Sequence, residues 1–382
     1  MRFIYALLAV STTWGLLRDE SLPKKNLDLP YPDLFILGAQ KCGTTSLNKL
    51  LELHSAFCSE GVKEKHYFST DDWQDPSSTS SFLGEFKGCK NKITIDATPS
   101  LIAERLVPLR IKSSYTPENL RRKKFIVLLR DPASRHYSEY QRLVRGCFVL
   151  EEDAKRLSFS SRNKNVQEKV GSAEKKCQYI LMKPDGKLSM ENMFSFAQFT
   201  VSSYGAKQLH RGYYLAEIKE WLTVIDRSQL FILSFETLLV NTTDSVSRLA
   251  KFLRVNGEEF FRVSPAEGPK GSNSSKIKLP EPPPSNRYME YDKAKMDCDT
   301  FSRVEDMWAA ANAGLVEFIN SNSSGARPAT EPRFPPFTSA RGKCHPYMWV
   351  SDGWYNGTQK VVSASTVSQG GSEGGGRDQK LF

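Results

Sequence analysis

Short apolar runs alternate along this chain with longer stretches in which apolar residues recur every three or four positions. Leu34-Phe-Ile-Leu37, Ile93-Thr-Ile95, Lys124-Phe-Ile-Val-Leu-Leu129 and Leu230-Phe-Ile-Leu233 have strand length. Nearly continuous hydrophobicity of this kind suits strands buried on both faces of a parallel sheet. Between them, helical spacing begins after Thr44-Thr-Ser46 with Leu47, Leu50, Leu51 and Leu53. It returns from Ala133 to Val144, from Leu209 to Ile225, from Ser245 to Leu253 and from Cys298 to Ile319. Strands alternating with helices predict an α/β domain of three layers, a central parallel sheet flanked by helices.

The ends depart from this alternation. Phe3 to Leu17 is an almost unbroken apolar run between Arg2 and Arg18. It is shorter than the roughly 17–25 residues of a usual spanning helix, yet long enough for a signal-peptide core. Residues 1–18 therefore read as a signal anchor or a cleaved signal peptide, with the uncleaved anchor preferred because no small-residue cleavage site stands out. Residues 19–32 are polar and proline-containing, a short stem. The domain is expected over 33–320, interrupted at about 146–190 by a polar, lysine-rich insertion without strong periodicity. Residues 264–287 are rich in Pro, Gly, Ser and Asn, and 321–382 form a Pro/Ser/Gly-rich, partly disordered tail.

Composition adds little to the fold and more to the setting. The 382 residues, 39% hydrophobic and 25% charged, fit an ordinary globular protein. A net charge of +10 makes nucleic acid, anionic glycans and phosphorylated cofactors plausible partners without choosing among them. Asn-x-Ser/Thr triplets at Asn241, Asn273, Asn322 and Asn356 support a secretory route. Seven cysteines also suit an oxidising compartment. With Cys42 free, Cys147–Cys177 and Cys298–Cys344 are the expected pairings, each closing an otherwise loose segment.

The chemistry concentrates at Leu34 to Leu47. A strand, a turn holding Gly38, Lys41 and Gly43, and a helix opening at Thr44-Thr-Ser46 together make an anion cradle. Free backbone N–H groups and the positive end of the helix dipole converge there, and Lys41 adds a charge. The segment is P-loop-like but lacks Gly-Lys-Ser/Thr, whose hydroxyl would sit on Mg²⁺. Three further segments follow: Lys63-Glu-Lys-His-Tyr-Phe68, the turn after Ile95, and Arg130 to Ser138. Loops at the carboxyl ends of parallel strands meet in one crevice, where Arg130 and Ser138 could hold a second phosphate. Asp96 reads as a turn or cap residue, or as a partner orienting Lys41 or Lys65. Glu64 also fits a solvated charged run, and Tyr213 fits packing better than catalysis.

Gly38-Ala-Gln-Lys-Cys-Gly-Thr-Thr45 resembles the 5′-phosphosulfate loop of sulfotransferases, and Leu129-Arg-Asp-Pro-Ala-Ser-Arg-His-Tyr-Ser-Glu-Tyr140 resembles their 3′-phosphate motif. Glu64-Lys-His-Tyr-Phe68 is similar to the Glu-x-His-Phe-Phe stretch of Golgi heparan sulfate sulfotransferases, as Arg211-Gly-Tyr-Tyr…Trp221-Leu222 is to a following helix. The resemblance covers about residues 33–255. It implies transfer of a sulfuryl group from 3′-phosphoadenosine 5′-phosphosulfate (PAPS), without a metal, to a hydroxyl or amine of a carbohydrate. An anionic polysaccharide fits the basic charge, and nucleic acid is not implied. By the same resemblance Glu64 is the general base, with His66 its competitor, and Lys41 stabilises the leaving phosphate. Lys41, Cys42, Gly43, Thr44, Thr45 and Ser46 would hold the 5′-phosphate, and Arg130 and Ser138 the 3′-phosphate. Lys270 and Gly271 would supply a late closing loop, although the arginine usual there is replaced by Ser272 and Asn273 is a sequon. The implied location is the Golgi membrane as a single-pass type II protein, or outside the cell after cleavage. Alternatives are a protein-tyrosine or small-molecule sulfotransferase and a catalytically silent glycan-binding member of the fold.

Overall fold

The computed structural model describes residues 29–59, 61, 63–157, 196–263, 298–321, 334, 335 and 337, and short strands between 348 and 361. The N-terminal apolar run, the Lys270-Gly271 loop and Asn273 lie outside these residues, as do Cys177, Cys344 and the side chains of Cys147 and Cys298. Among the described residues no helix is long and apolar enough to cross a membrane.

The elements run β1 (Leu34–Gly38), α1 (Thr44–Glu52), β2 (Phe57–Cys58), α2 (Pro76–Gly84), β3 (Ile93–Asp96), α3 (Val107–Ser114), α4 (Pro117–Arg122), β4 (Lys124–Leu129) and α5 (Pro132–Leu157). They continue as α6 (Phe196–Val201), α7 (Ser203–His210), α8 (Tyr214–Trp221), β5 (Leu230–Ser234), α9 (Phe235–Val240), α10 (Thr242–Leu253) and α11 (Gly257–Val263). Last come α12 (Cys298–Ala311), α13 (Leu315–Asn320) and a small antiparallel ribbon of β6 (Met348–Val350), β7 (Gly353–Tyr355) and β8 (Lys360–Val361).

The first five strands form one sheet in the order β2-β3-β1-β4-β5, and every pairing in it is parallel. The four apolar runs are its four main strands, and β1 is wholly buried, as continuous hydrophobicity requires when helices cover both faces. β1 packs Phe35 against Phe125 of β4, rings stacked at 5.4 Å. β2 is too short to announce itself by pattern; its Cys58 forms a disulfide with Cys89 just before β3.

Three helical expectations need correction. The helix expected to end at Val144 runs to Leu157, so the first residues of the anticipated insertion are helical. The pattern from Leu209 to Ile225 is two helices, α7 and α8, broken at Arg211-Gly-Tyr213. A Cβ on Gly212 would lie 2.3 Å from Trp308 Nε1, and that indole donates to Leu209 O at 3.2 Å, so the break is where α12 presses on the chain. The pattern from Cys298 to Ile319 likewise divides at Gly314, which has φ 79. A second apolar cluster binds α5, α6 and α12 through Tyr137, Tyr140, Phe196, Phe199, Phe301 and Trp308.

Candidate active site

The chain leaves β1 towards β2 and leaves β4 towards β5, so these adjacent strands send their connections in opposite directions. Their carboxyl ends thus flank a switch-point crevice, where ligands of open α/β sheets bind. β3 borders β1 on the other side.

The loop after β1 is held tightly. Ala39 N donates to Leu128 O at 2.7 Å and Cys42 N to Ala39 O at 3.2 Å. Lys41 and Gly43 both take left-handed backbone conformations, φ 69 and 84. Gly43 is the N-cap of α1, with no side chain capping the helix. The amides of the first turn therefore keep their donors for a ligand, and the helix dipole favours an anion. Of the loop residues singled out from the sequence, Lys41, Gly43, Thr45 and Ser46 are half-buried, and Cys42 and Thr44 are buried. Cys42 points inward: burial pushes its thiol up to about 12 against the pull of Arg135 and Arg130, so it is no thiolate nucleophile.

On the β4 side, Arg130 reaches back across the crevice, its Nη1 donating to Lys41 O at 3.4 Å. Its guanidinium lies 5.2 Å from the Phe235 ring centre. The same ring is what a Cβ on Gly43 would strike, at 2.5 Å. Phe235 therefore floors both the loop and Arg130. Asp131 N donates to Glu236 Oε1 at 3.1 Å and Asp131 Oδ2 accepts from Ser134 N at 2.6 Å, which starts α5. Burial raises the Asp131 carboxyl to about 6 despite those Ser134 hydrogen bonds. Ser138 is half-buried on α5, next to the buried Glu139. Burial opposes the charge on Glu139, yet the hydrogen bonds and charge of Arg142, with a smaller pull from Lys41, hold its carboxyl below the ordinary value.

On the β3 side, Asp96 is a fully buried strand end rather than a turn residue. Thr98 Oγ1 donates to Asp96 Oδ1 at 2.6 Å and accepts from the amides of Lys65 (3.0 Å) and His66 (3.3 Å). The segment carrying Glu64 is thereby fastened to the end of β3. Burial lifts Asp96 to about 6, against the Thr98 hydrogen bond and the charge of Lys65. Lys65 turns inward, its side chain 1% exposed and its Nζ 2.5 Å from Glu85 Oε2. Glu64 and His66 face outward: Glu64 Oε1 accepts from Lys63 Nζ at 3.1 Å, and Glu64 Oε2 lies 3.7 Å from His66 Nε2. The carboxylate and imidazole are accessible and adjacent, as a proton acceptor for an incoming group must be.

Sequence reasoning missed a cluster beneath these loops. Arg135 is fully buried, with Nη2 donating to Gln208 O at 2.6 Å, while its Nε and Nη1 have no hydrogen-bond partner. Beside it Glu217 is raised to about 8 by burial, which outweighs the charges of Arg135 and Arg211. Arg211 donates to Gln40 Oε1 in the β1 loop, and Tyr214 donates its hydroxyl to Arg130 O at 3.0 Å. Tyr213, singled out from the sequence, is half-exposed against His210 instead. The signal for Tyr214 was its position one helical step before Ile218 and two before Trp221, which marks the buried face.

Among the described residues no group of three or more His, Cys, Asp or Glu side chains is placed to hold a metal ion.

A family model described as a sulfotransferase domain matches residues 31–264. A protein of Mus musculus named carbohydrate sulfotransferase 15 is 23% identical over 276 residues, covering 59% of this chain and 44% of that one. The chain thus spans less than half the length of that relative. Among solved structures, a sulfotransferase from Alicyclobacillus acidocaldarius is 18% identical, with 73% of this chain and 95% of that chain covered and a TM-score of 0.40. The sulfotransferase domain from the curacin biosynthetic pathway is 14% identical, with coverages of 64% and 81% and a TM-score of 0.36. With more than half of its length matched by one family model, the chain belongs to the sulfotransferase family.

Proposed function

We propose that this protein is a Golgi sulfotransferase that uses PAPS to sulfate a hydroxyl or amine of a carbohydrate, an anionic polysaccharide being the substrate that its basic charge favours. One observation carries the proposal. The uncapped loop–helix cradle lies between two neighbours at the carboxyl ends of adjacent strands, the exposed Glu64–His66 pair on the β3 side and Arg130 on the β4 side. The residues present fit PAPS: donors for a 5′-phosphate at α1, and a guanidinium for a 3′-phosphate across the crevice. When bound, PAPS supplies the sulfuryl group and a phosphate leaving group. The amides of Gly43 to Ser46 and the Lys41 ammonium would stabilise charge growing on that phosphate. Arg130 and Ser138 would hold the 3′-phosphate and fix the sulfur in line. Glu64 would take the acceptor proton, with His66 orienting it. The mouse relative's name supports a carbohydrate acceptor, and the apolar N-terminal run and the sequons support single-pass type II insertion.

The test is to incubate the purified full chain with sulfur-labelled PAPS and a panel of glycans, tyrosine peptides and phenols. Label should pass to a glycan. Lys41→Ala and Glu64→Gln should each reduce transfer by about 10²-fold or more, while Glu64→Gln still binds 3′-phosphoadenosine 5′-phosphate (PAP). Transfer only to peptides or phenols would overturn the carbohydrate assignment. No transfer with no PAP binding would overturn the whole. Near-normal turnover by Glu64→Gln would hand the base role to His66.

A further inference from the structure

Tyr214 opens α8 with no exposed surface. Its hydroxyl donates to the main-chain carbonyl of Arg130 at 3.0 Å. A phenol has one proton, and that bond uses it, so the oxygen can only accept from anything else. What faces it is the Cys42 thiol, 3.9 Å away. Burial keeps this thiol protonated, with its one proton shared between Tyr214 and the Gln40 carbonyl, 3.7 Å from the sulfur. One buried hydroxyl therefore touches both halves of the crevice, the loop after β1 through Cys42 and the end of β4 through Arg130. Two neighbouring contacts run the same way. Arg130 Nη1 donates to Lys41 O, and Arg211, three residues before Tyr214, donates to Gln40 Oε1. The α7–α8 junction is thus a strap across the crevice floor, and Tyr214 is where it grips both sides.

A phenyl ring would fill the same volume without either bond. Tyr214 itself lies outside the surfaces that would meet a ligand, since it is fully buried. Its effect on a ligand must act through Arg130 and the loop.

We propose that Tyr214 is a positioning residue for cofactor recognition. Its hydroxyl fixes the separation between the β1 loop and Arg130, and hence the spacing of the two phosphates that the crevice accepts. The inference rests on the reading of those two places as 5′- and 3′-phosphate subsites, and goes beyond it by assigning what sets their distance.

Calorimetric titration of the full chain with PAP and with adenosine 5′-phosphate separates the two ideas. The ratio of the two dissociation constants measures the 3′-phosphate contribution. A wild-type ratio near one would overturn the two-subsite reading and this inference with it. Given a strong wild-type preference for PAP, Tyr214→Phe should narrow the ratio by about five- to tenfold, the worth of one buried hydrogen bond. Adenosine 5′-phosphate affinity should change less than about twofold, within the scatter expected of a site left otherwise intact. An unchanged ratio, or equal losses for both ligands, overturns the positioning role while leaving the two subsites standing. If Tyr214→Phe does not fold, Cys42→Ala tests the other grip. It should narrow the ratio about two- to threefold, and Cys42→Ser, which restores a donor, should recover it. Identical ratios for wild type, Cys42→Ala and Cys42→Ser would overturn the proposal.

Discussion

Gly43→Ala puts the cradle to its sharpest test, because two separable effects meet at one atom. The backbone there has φ 84, and moving a residue with a Cβ into the left-handed region costs about 1–2 kcal/mol. The added Cβ would also sit 2.5 Å from Phe235 Cε2 and 2.6 Å from Cδ2, well inside the ~3.5–4.0 Å of carbon–carbon contact. The ring must move, and overpacking of this kind costs about 1–3 kcal/mol. The sum is about 2–5 kcal/mol, or a fall in melting temperature of about 4–20 °C for a domain of this size. Phe235→Ala removes only the second effect. In a double-mutant cycle followed by thermal and denaturant unfolding, the two substitutions should couple by about 1–3 kcal/mol, the double mutant being more stable than additivity predicts. PAP affinity should fall in Gly43→Ala and partly return in the double mutant. A coupling below about 0.5 kcal/mol would show that the ring is not what the new methyl meets. A Gly43→Ala variant as stable as wild type would refute the left-handed cap itself.

Other outcomes follow from the buried charges and from the β3 anchor. Glu217 carries a folded pKa of about 8 against the ordinary 4.5, so the folded state holds a proton that the unfolded chain has released. Its contribution must decline as pH rises from about 4.5 to 8, by at most about 1.4 kcal/mol per pH unit. Glu217→Gln should flatten that part of a denaturation-versus-pH profile, and an unchanged slope would sink the assignment. Arg142→Ala leaves Glu139, fully buried, accepting from the Tyr204 hydroxyl at 2.9 Å but without its guanidinium, and should cost about 2 kcal/mol near neutral pH. Because the folded Glu139 pKa is depressed, the loss should shrink as pH falls below the unfolded carboxylate value; a pH-independent loss would point to packing alone. Thr98→Val removes the acceptor for the Lys65 and His66 amides and the donor to Asp96. It should lower kcat for sulfuryl transfer about tenfold with PAP affinity unchanged, and equal effects on both would contradict the division between the two sides.

The sheet was legible because its main strands are buried on both faces and so read as unbroken apolar runs, from Leu34-Phe-Ile-Leu37 to Leu230-Phe-Ile-Leu233. The loop after β1 was equally plain, since Gly43 and the hydroxyl-rich start of α1 are local features of one segment. What escaped depends on contacts distant in sequence. The break between α7 and α8 is imposed by Trp308, 96 residues from Gly212 by number (308 − 212). Arg135 reads as one more basic residue on a helix until α7 and α8 close over it. Phe235 has no motif around it; only the parallel pairing of β5 with β4 brings its ring under Gly43 and Arg130. Asp96 looked like a turn residue because a carboxylate followed by Ala-Thr-Pro normally marks one, whereas here Thr98 folds back to it and turns the pair into an anchor. The pairing of Cys58 with Cys89 had no signal in spacing at all.

That disulfide divides the molecule in a way that bears on where it matures. Its 31-residue separation encloses Glu64, Lys65, His66 and Glu85, the whole excursion from β2 back to β3. Closing a loop of this length is worth about 3–4 kcal/mol in chain entropy. The crevice floor between β1 and β4 lies outside the enclosed segment, held by the sheet and by Tyr214. Reduction should therefore loosen the acceptor side while leaving PAP affinity near its oxidised value, a split readable by titration and turnover with and without dithiothreitol. A chain made among reducing thiols would be a nucleotide binder with a slack proton acceptor. If the chain acts as proposed, competence to transfer would arrive only with oxidation, and the covalent state of two cysteines would tie turnover to an oxidising compartment.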